Sequence, residues 1–344
     1  MQKRQITAGL AGVVAGLLAL SACGGNSEAS DGGGSGGGGE ISIVGFSILE
    51  AANKDVISTF QDTDAGQGVT FTTSYGASGD QSRAVEAGLE ADIAHFSLEP
   101  DMTRLVDAGL VAEDWKETDT KGIVSQSTVV FVVREGNPKN IQTWDDLVKD
   151  GVEIITPNPI SSGGARWNTL AAWGQEIAAG GTEDDARAYT TEFFEHAVAL
   201  PESARDATTA FQSGNGDVLI SYENEAILAR QSGQAFDYVV PDTTLLIENP
   251  GAVVDGADEV TQDFLEFLVT PEVQEIYAGY GFRPIGDVAE VEVEGANDPS
   301  DPFPTPETML TIDEDFNGWS EAKDKFFDEE KGIIAEILAE TGNG

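Results

Sequence analysis

Along the first half of the chain the apolar positions switch repeatedly between a two-residue and a helical period. Ile41–Val44 alternates, Val69–Ser74 is β-branched, and Ala91–Phe96 closes on an apolar run, so each predicts a strand. Between them, Ala51–Gln61 places Val56, Ile57 and Phe60 at helical spacing, and Gln81–Leu89 predicts a second helix. Thr128–Val133 is apolar without alternation, the pattern of a strand buried on both faces. Shorter segments continue the theme. Trp144–Val148, Trp167–Ala178, Asp184–Ala199, Thr261–Leu268 and Val273–Tyr277 predict helices, and Trp319–Leu338 predicts one final helix. Ile154–Thr156, Val218–Ser221 and Asp237–Val240 predict strands. Strands alternating with helices define an α/β fold with a largely parallel sheet.

The N-terminus follows a different rule. Lys3 and Arg4 precede the uncharged apolar stretch Ile6–Leu20, which is the layout of a secretory signal and too short for a spanning helix. It ends in Leu20-Ser21-Ala22-Cys23, which resembles a bacterial lipobox, and Cys23 is the only cysteine in the chain. Residues 1–22 are therefore expected to be a lipoprotein signal peptide, with Cys23 lipidated and anchoring the protein to the outer face of a membrane. Nine of the residues 24–39 are glycine, so 23–39 is expected to be a lipidated cysteine and flexible tether.

Charge narrows the function classes. The formal net charge is −43, against the basic surface that nucleic-acid binding requires. Hydrophobic residues make up 40%, enough for a packed core. One cysteine and two histidines, His95 and His196, leave little material for a disulfide framework or a histidine-based metal centre. Neither a metal nor an organic cofactor is expected.

The candidate chemistry lies in turns rich in Gly, Ser and Ala between strands and helices. Tyr75–Gly79 and Pro159–Ala165 are the clearest, Glu202–Ala204 is a weaker third, and Phe46–Ile48 also precedes a helix. Small residues let backbone approach a ligand, and the free N–H groups of a helix N-terminus favour an anion. One such turn is commonly a capped helix and nothing more. Several aimed at one point would form a cage of neutral donors.

The run Ile155–Asn168 with Leu170–Gly174 closely resembles the sulfate/thiosulfate-binding proteins of ABC importers. Matching segments follow in the same order: Gly76–Val85, Phe131–Lys139 with Trp144–Leu147, Ala204–Phe211, Gly216–Ala226, Arg283-Pro284 and Thr311–Trp319. The resemblance implies a two-lobed periplasmic-binding-protein fold of type II with the ligand in the cleft. It implies lobe I from 40–125 plus 241–290, lobe II from 126–240, and a C-terminal acidic segment and helix, 291–344, packed on the body. The crossover strands would lie near Val124–Val130 and Val239–Ile247. By motif match, Ser47, Ser78, Ser162, Gly163, Gly164, Ala204 and Tyr222 would contact the dianion, and Arg166 and Arg205 would brace the binding loops. The implied protein is a monomeric extracytoplasmic receptor that delivers sulfate or thiosulfate to a membrane permease. Three positions depart from the family: Tyr222 stands for its usual Trp, Ser47 for a common Asp, and Asp80 for a frequent Lys. A cage of donors alone would favour sulfate over phosphate, because a bound proton would find no acceptor.

Other readings compete. Molybdate or tungstate would suit the same kind of cage. Gly76-Ala-Ser78-Gly79-Asp80 nearly matches a hydrolase nucleophile elbow, but Asp80 replaces the final glycine and no histidine is marked as its base, so no catalytic residue is assigned. Asp313–Asp324 follows much of the calcium-loop spacing, yet Asp at the last position is a short ligand and capping explains the run better. No P-loop motif occurs, so ATP hydrolysis belongs to a separate chain.

Overall fold

The computed structural model describes residues 38–289, 291–328 and 331–343. The signal, Cys23 and nearly all of the tether lie outside these residues. Among those described, no helix is long and apolar enough to cross a membrane.

Strand β1 (Glu40–Phe46) pairs in parallel with β2 (Thr70–Gly76) on one side and β3 (Ile93–His95) on the other. Strand β4 (Ile123–Arg134) is long enough to serve two sheets. Its second half pairs antiparallel with β7 (Val218–Tyr222) and with β8 (Phe236–Val239). The short β5 (Ile154–Ile155) lies parallel between β6 (Ala197–Ala199) and β7. The return strand β9 (Thr243–Val253) runs antiparallel to the first half of β4, and its last residues pair with β3. Strand β10 (Thr308–Leu310) adds to the start of β9. The order is β2-β1-β3-β9-β4-β7-β5-β6. Thus β4 and β9 are the two crossovers between a β1–β3 lobe and a β5–β8 lobe, the arrangement of a two-lobed type II periplasmic-binding-protein fold.

Core packing follows the side-chain period. Val129, Phe131 and Val133 of β4 enter one apolar cluster, while Val130 and Val132 enter another on the opposite face. All five are essentially unexposed, which is why this strand shows no polar alternation.

The structure differs from the sequence expectation at several ends. The helix expected from Trp167 begins at Gly163, and the one expected from Gln81 begins at Ser78. Glycine and serine carry weak helix propensity, so propensity hides these first turns. The helix implied after the Glu202–Ala204 turn is Ala204–Gln212, while helices Glu99–Asp107 and Glu223–Gln231 stand where the pattern predicts none. The single final helix is two, Gly318–Phe326 and Ile333–Thr341. The chain folds back at Gly332, where an added Cβ would lie 2.6 Å from the Asp328 carbonyl oxygen and 2.7 Å from that of Phe326. Only glycine permits that approach.

Candidate anion-binding cleft

The parallel strands of both lobes end toward the same place, as expected for an α/β ligand site. After β1 comes Ser47, after β2 the helix from Ser78, and after β3 comes Ser97. From the other lobe come the helices from Gly163, Ala204 and Glu223, the last following Tyr222 at the end of β7. Together they line a small, partly open space with a cavity volume of about 10 Å³. That is far below the range of pockets for drug-sized organic ligands.

All seven residues expected at the ligand line this space: Ser47, Ser78, Ser162, Gly163, Gly164, Ala204 and Tyr222. Phe46, Ile48, Gly76, Ala77 and Ser97 line it too. None of these side chains is charged. Gly163 and Gly164 occupy the first two positions of their helix, and Ser78 and Ala204 the first positions of theirs. First-turn N–H groups have no acceptor within their own helix. The lining therefore presents backbone donors backed by three helix dipoles, with hydroxyls between them.

The hydroxyls are not equivalent. Ser78 Oγ donates to Asp101 Oδ2 at 2.6 Å and accepts from the Ser97 N–H at 2.9 Å. Its contribution toward the space is thus its backbone. Ser162 is buried, and its own N–H donates to the Asn158 carbonyl. Tyr222 Oη and Ser97 Oγ lie 2.6 Å apart, one from each lobe. Burial raises the Tyr222 phenol well above its ordinary pKa, opposed by hydrogen bonding to Ser97 and Asn249. Ser97 escaped the sequence reading. Its only signal is that it follows a third strand of the same lobe, as Ser47 and Ser78 follow theirs.

The supporting residues carry the charge. Arg166 Nε donates to the Pro159 carbonyl at 3.0 Å and closes the 159–166 loop on itself. Arg205 Nη2 bonds the buried Glu225 at 2.8 Å, joining the Ala204 helix to the Glu223 helix. Asp80, which stands where the family often has Lys, pairs with Arg83 on the exposed side of its own helix. Burial pushes Asp101 up, partly offset by the Arg166 charge and the Ser78 hydroxyl.

Trp167 is fully buried and its indole Nε1 donates to the Ser97 carbonyl at 2.9 Å, from one lobe to the other. Trp167→Phe keeps most of the volume and removes this bond. A hydrogen bond of this kind is worth about 1 kcal/mol, so anion affinity is expected to fall about fivefold in a calorimetric titration.

A nucleophilic serine is not assembled at this site. His95 Nε2 is 3.3 Å from Ser125 Oγ, and His196 Nδ1 is 2.8 Å from the Val152 carbonyl. Neither is bonded to Ser78. Burial lowers His95 to about 3, which keeps it neutral. In the 313–324 segment, Ile312–Asp315 and Gly318–Phe326 are helical, and Thr311 Oγ1 accepts from the Glu314 N–H as a cap. Among the described residues no group of three acidic, histidine or cysteine side chains is placed to hold a metal.

Two lobes joined by two crossover strands, with a small neutral cavity between them, define a solute-binding protein. The chain belongs to the family described as bacterial extracellular solute-binding protein, which it matches over residues 41–283. It is 41% identical to a sulfate-binding protein of Synechococcus elongatus over 90% of each chain. It is 34% identical to a thiosulfate-binding protein of Escherichia coli, covering 81% of this chain and 84% of that one. Its fold superposes on the sulfate-binding protein SubI from Mycobacterium tuberculosis with a TM-score of 0.78 and 43% identity, covering 84% of this chain and 99% of SubI.

Proposed function

We propose that this protein is an extracytoplasmic receptor that captures sulfate or thiosulfate between its lobes and delivers it to the permease of an ABC importer. The observation that carries this reading is the cavity itself. It is small, lined by uncharged groups, and faced by helix N-termini from both lobes. Dianion charge is met there by fixed dipoles. The relatives named for sulfate and thiosulfate support the same ligand class. By motif match, Ser47, Ser78, Ser162, Gly163, Gly164, Ala204 and Tyr222 are the contacting residues, and Arg166 and Arg205 hold the loops that carry them. The lobes are 40–125 plus 241–290 and 126–240, with 291–344 packed on the body. We further propose that the body works as a monomer held to the membrane by lipid on Cys23, an assignment supported by the Leu20–Cys23 motif and the glycine-rich stretch behind it.

The test is calorimetric titration of the ligand-stripped protein with sulfate, thiosulfate and molybdate at two concentrations of an inert salt. Saturable one-to-one binding of sulfate or thiosulfate is the expected result. Silence toward both in folded protein would overturn the reading. Salt separates two origins of affinity. The body carries a large negative charge that repels the ligand at long range, whereas dipoles in a desolvated cage are little screened. Affinity is therefore expected to stay constant or rise with salt. A steep fall would point instead to exposed Arg and Lys as the binding groups.

A further inference from the structure

The pair formed by Ser97 and Tyr222 has chemistry that an indole N–H at the same place would not have. A hydroxyl donates once and accepts twice, while an indole only donates. At 2.6 Å, one of the two O–H groups must lie in the bond between the oxygens. The oxygen that gives this proton is left with lone pairs only, and its mate keeps one free proton. Both residues line the cavity and both are about 1% exposed, so bulk water does not complete their bonding. The neighbouring amide of Asn249 donates to the Ser97 carbonyl at 2.8 Å, accepts from Ser125 Oγ at 3.2 Å, and also bonds Tyr222, which still leaves each oxygen of the pair at least one position for a ligand. The Ser97 N–H is spent on Ser78 Oγ, which fixes where the Ser97 side chain starts. The pair also joins the two lobes, so it exists as a unit only when they are closed.

We propose that Ser97 is a specificity-determining residue. Its hydroxyl pair with Tyr222 places one donor and one acceptor side by side, so the cleft takes hydrogen-bearing tetrahedral oxyanions, of the hydrogenphosphate type, as well as proton-free ones. The ligand's P–O–H donates to the oxygen that has given up its proton, and the mate's free proton goes to a second ligand oxygen. Hydrogen bonds arranged in such a ring reinforce one another. A proton-free dianion uses the same pair through its single free donor. This inference rests on the oxyanion-binding reading of the cleft and deepens it.

Sulfate and hydrogenphosphate at mildly alkaline pH separate the ideas, because both are tetrahedral dianions and they differ by one proton. The ligand-stripped wild type, Ser97→Ala and Tyr222→Phe are each titrated with both ions, and thermal unfolding confirms that each is folded. Wild type is expected to bind both ions. Each substitution leaves one lone hydroxyl, whose only proton can serve sulfate but which then has no second hydroxyl to take that proton when it must accept. Both ions are expected to lose affinity in both variants, with hydrogenphosphate losing about tenfold more than sulfate. Sulfate binding with no hydrogenphosphate binding in wild type would overturn this inference and leave the proposed function standing. Equal losses for both ions in the variants would also overturn it. Hydrogenphosphate binding without sulfate or thiosulfate binding would instead overturn the proposed function and keep the hydroxyl pair. Silence toward every oxyanion would overturn both.

Discussion

Gly163→Ala is expected to weaken oxyanion binding by about 10- to 100-fold while leaving the protein as stable as before, or slightly more so. An added Cβ at Gly163 would lie 2.5 Å from Ser97 Oγ, 2.6 Å from Ser97 Cβ and 3.0 Å from Leu98 Cδ2. Ser97 could swing its hydroxyl aside, but its Cβ is fixed to the backbone. Gly163 begins a helix of one lobe and Ser97 follows β3 in the other. Relieving the clash therefore means holding the lobes apart, and overpacking of this kind costs about 1–3 kcal/mol. Three consequences separate the mechanism from simple damage. The backbone N–H of residue 163 remains, so no donor is lost. Gly163 does not adopt a left-handed conformation, so alanine suits its backbone and improves helix propensity. Gly164→Ala meets tight contacts that a shift of a few tenths of an ångström relieves, 3.3 Å to Ala204 Cβ and to Tyr222 Cε1, and is expected to lose less than Gly163→Ala. Calorimetry alongside thermal unfolding checks all three. Unchanged affinity in Gly163→Ala would mean that the ligand-bound protein does not bring Ser97 this close.

The sequence showed the donor loops better than the elements that carry them. Ser162, Gly163 and Gly164 stand out because the run of small residues Ser161–Ala165, between Pro159-Ile160 and a Trp-bearing segment, has little reason to be there except close backbone approach. The same smallness hid the true start of their helix. Ser97 was illegible because a single serine after a three-residue strand resembles any loop residue, and its importance arises only when Tyr222, some 125 positions away, is folded against it. The helix Glu223–Gln231 was missed for a different reason. It opens with Glu223, Asn224 and Glu225, all nearly unexposed, where local pattern predicts a solvated polar turn. Their burial depends on cations brought from elsewhere, Arg283 for Glu223 and Arg205 for Glu225. Long-range pairing of this sort leaves no local trace. The resemblance of Gly216–Ala226 and Arg283-Pro284 to a known family marked these residues as belonging together, but not why.

The reason gives the second large effect. Glu223 is wholly buried, and Arg283 holds both of its oxygens, Nε to Oε2 at 2.7 Å and Nη2 to Oε1 at 3.1 Å. The same guanidinium donates to the Pro304 carbonyl at 3.0 Å, so it ties the C-terminal segment to the residue that follows Tyr222. Arg283→Met keeps an apolar stem and strands the carboxylate. Removing one partner of a buried pair costs about 3–5 kcal/mol, which in a chain of this size lowers the unfolding midpoint by roughly 5–8 °C. Replacing both groups, with Arg283→Met and Glu223→Gln, should recover much of that loss, since the penalty is the uncompensated charge and not the missing contact. The pH dependence has a definite sign. Burial already pushes the Glu223 pKa up, with the Arg283 charge opposing the rise. Without Arg283 the folded-state pKa stands further above the unfolded value, and folding takes up a proton below it. Stability of Arg283→Met should therefore recover as pH falls through that raised pKa, so its deficit against wild type narrows from neutral toward mildly acidic conditions. Unfolding curves of both proteins across that range decide the matter. A deficit that does not change with pH would mean that the carboxylate reaches solvent once its partner is gone, and that Arg283 acts through Pro304 and its own packing instead.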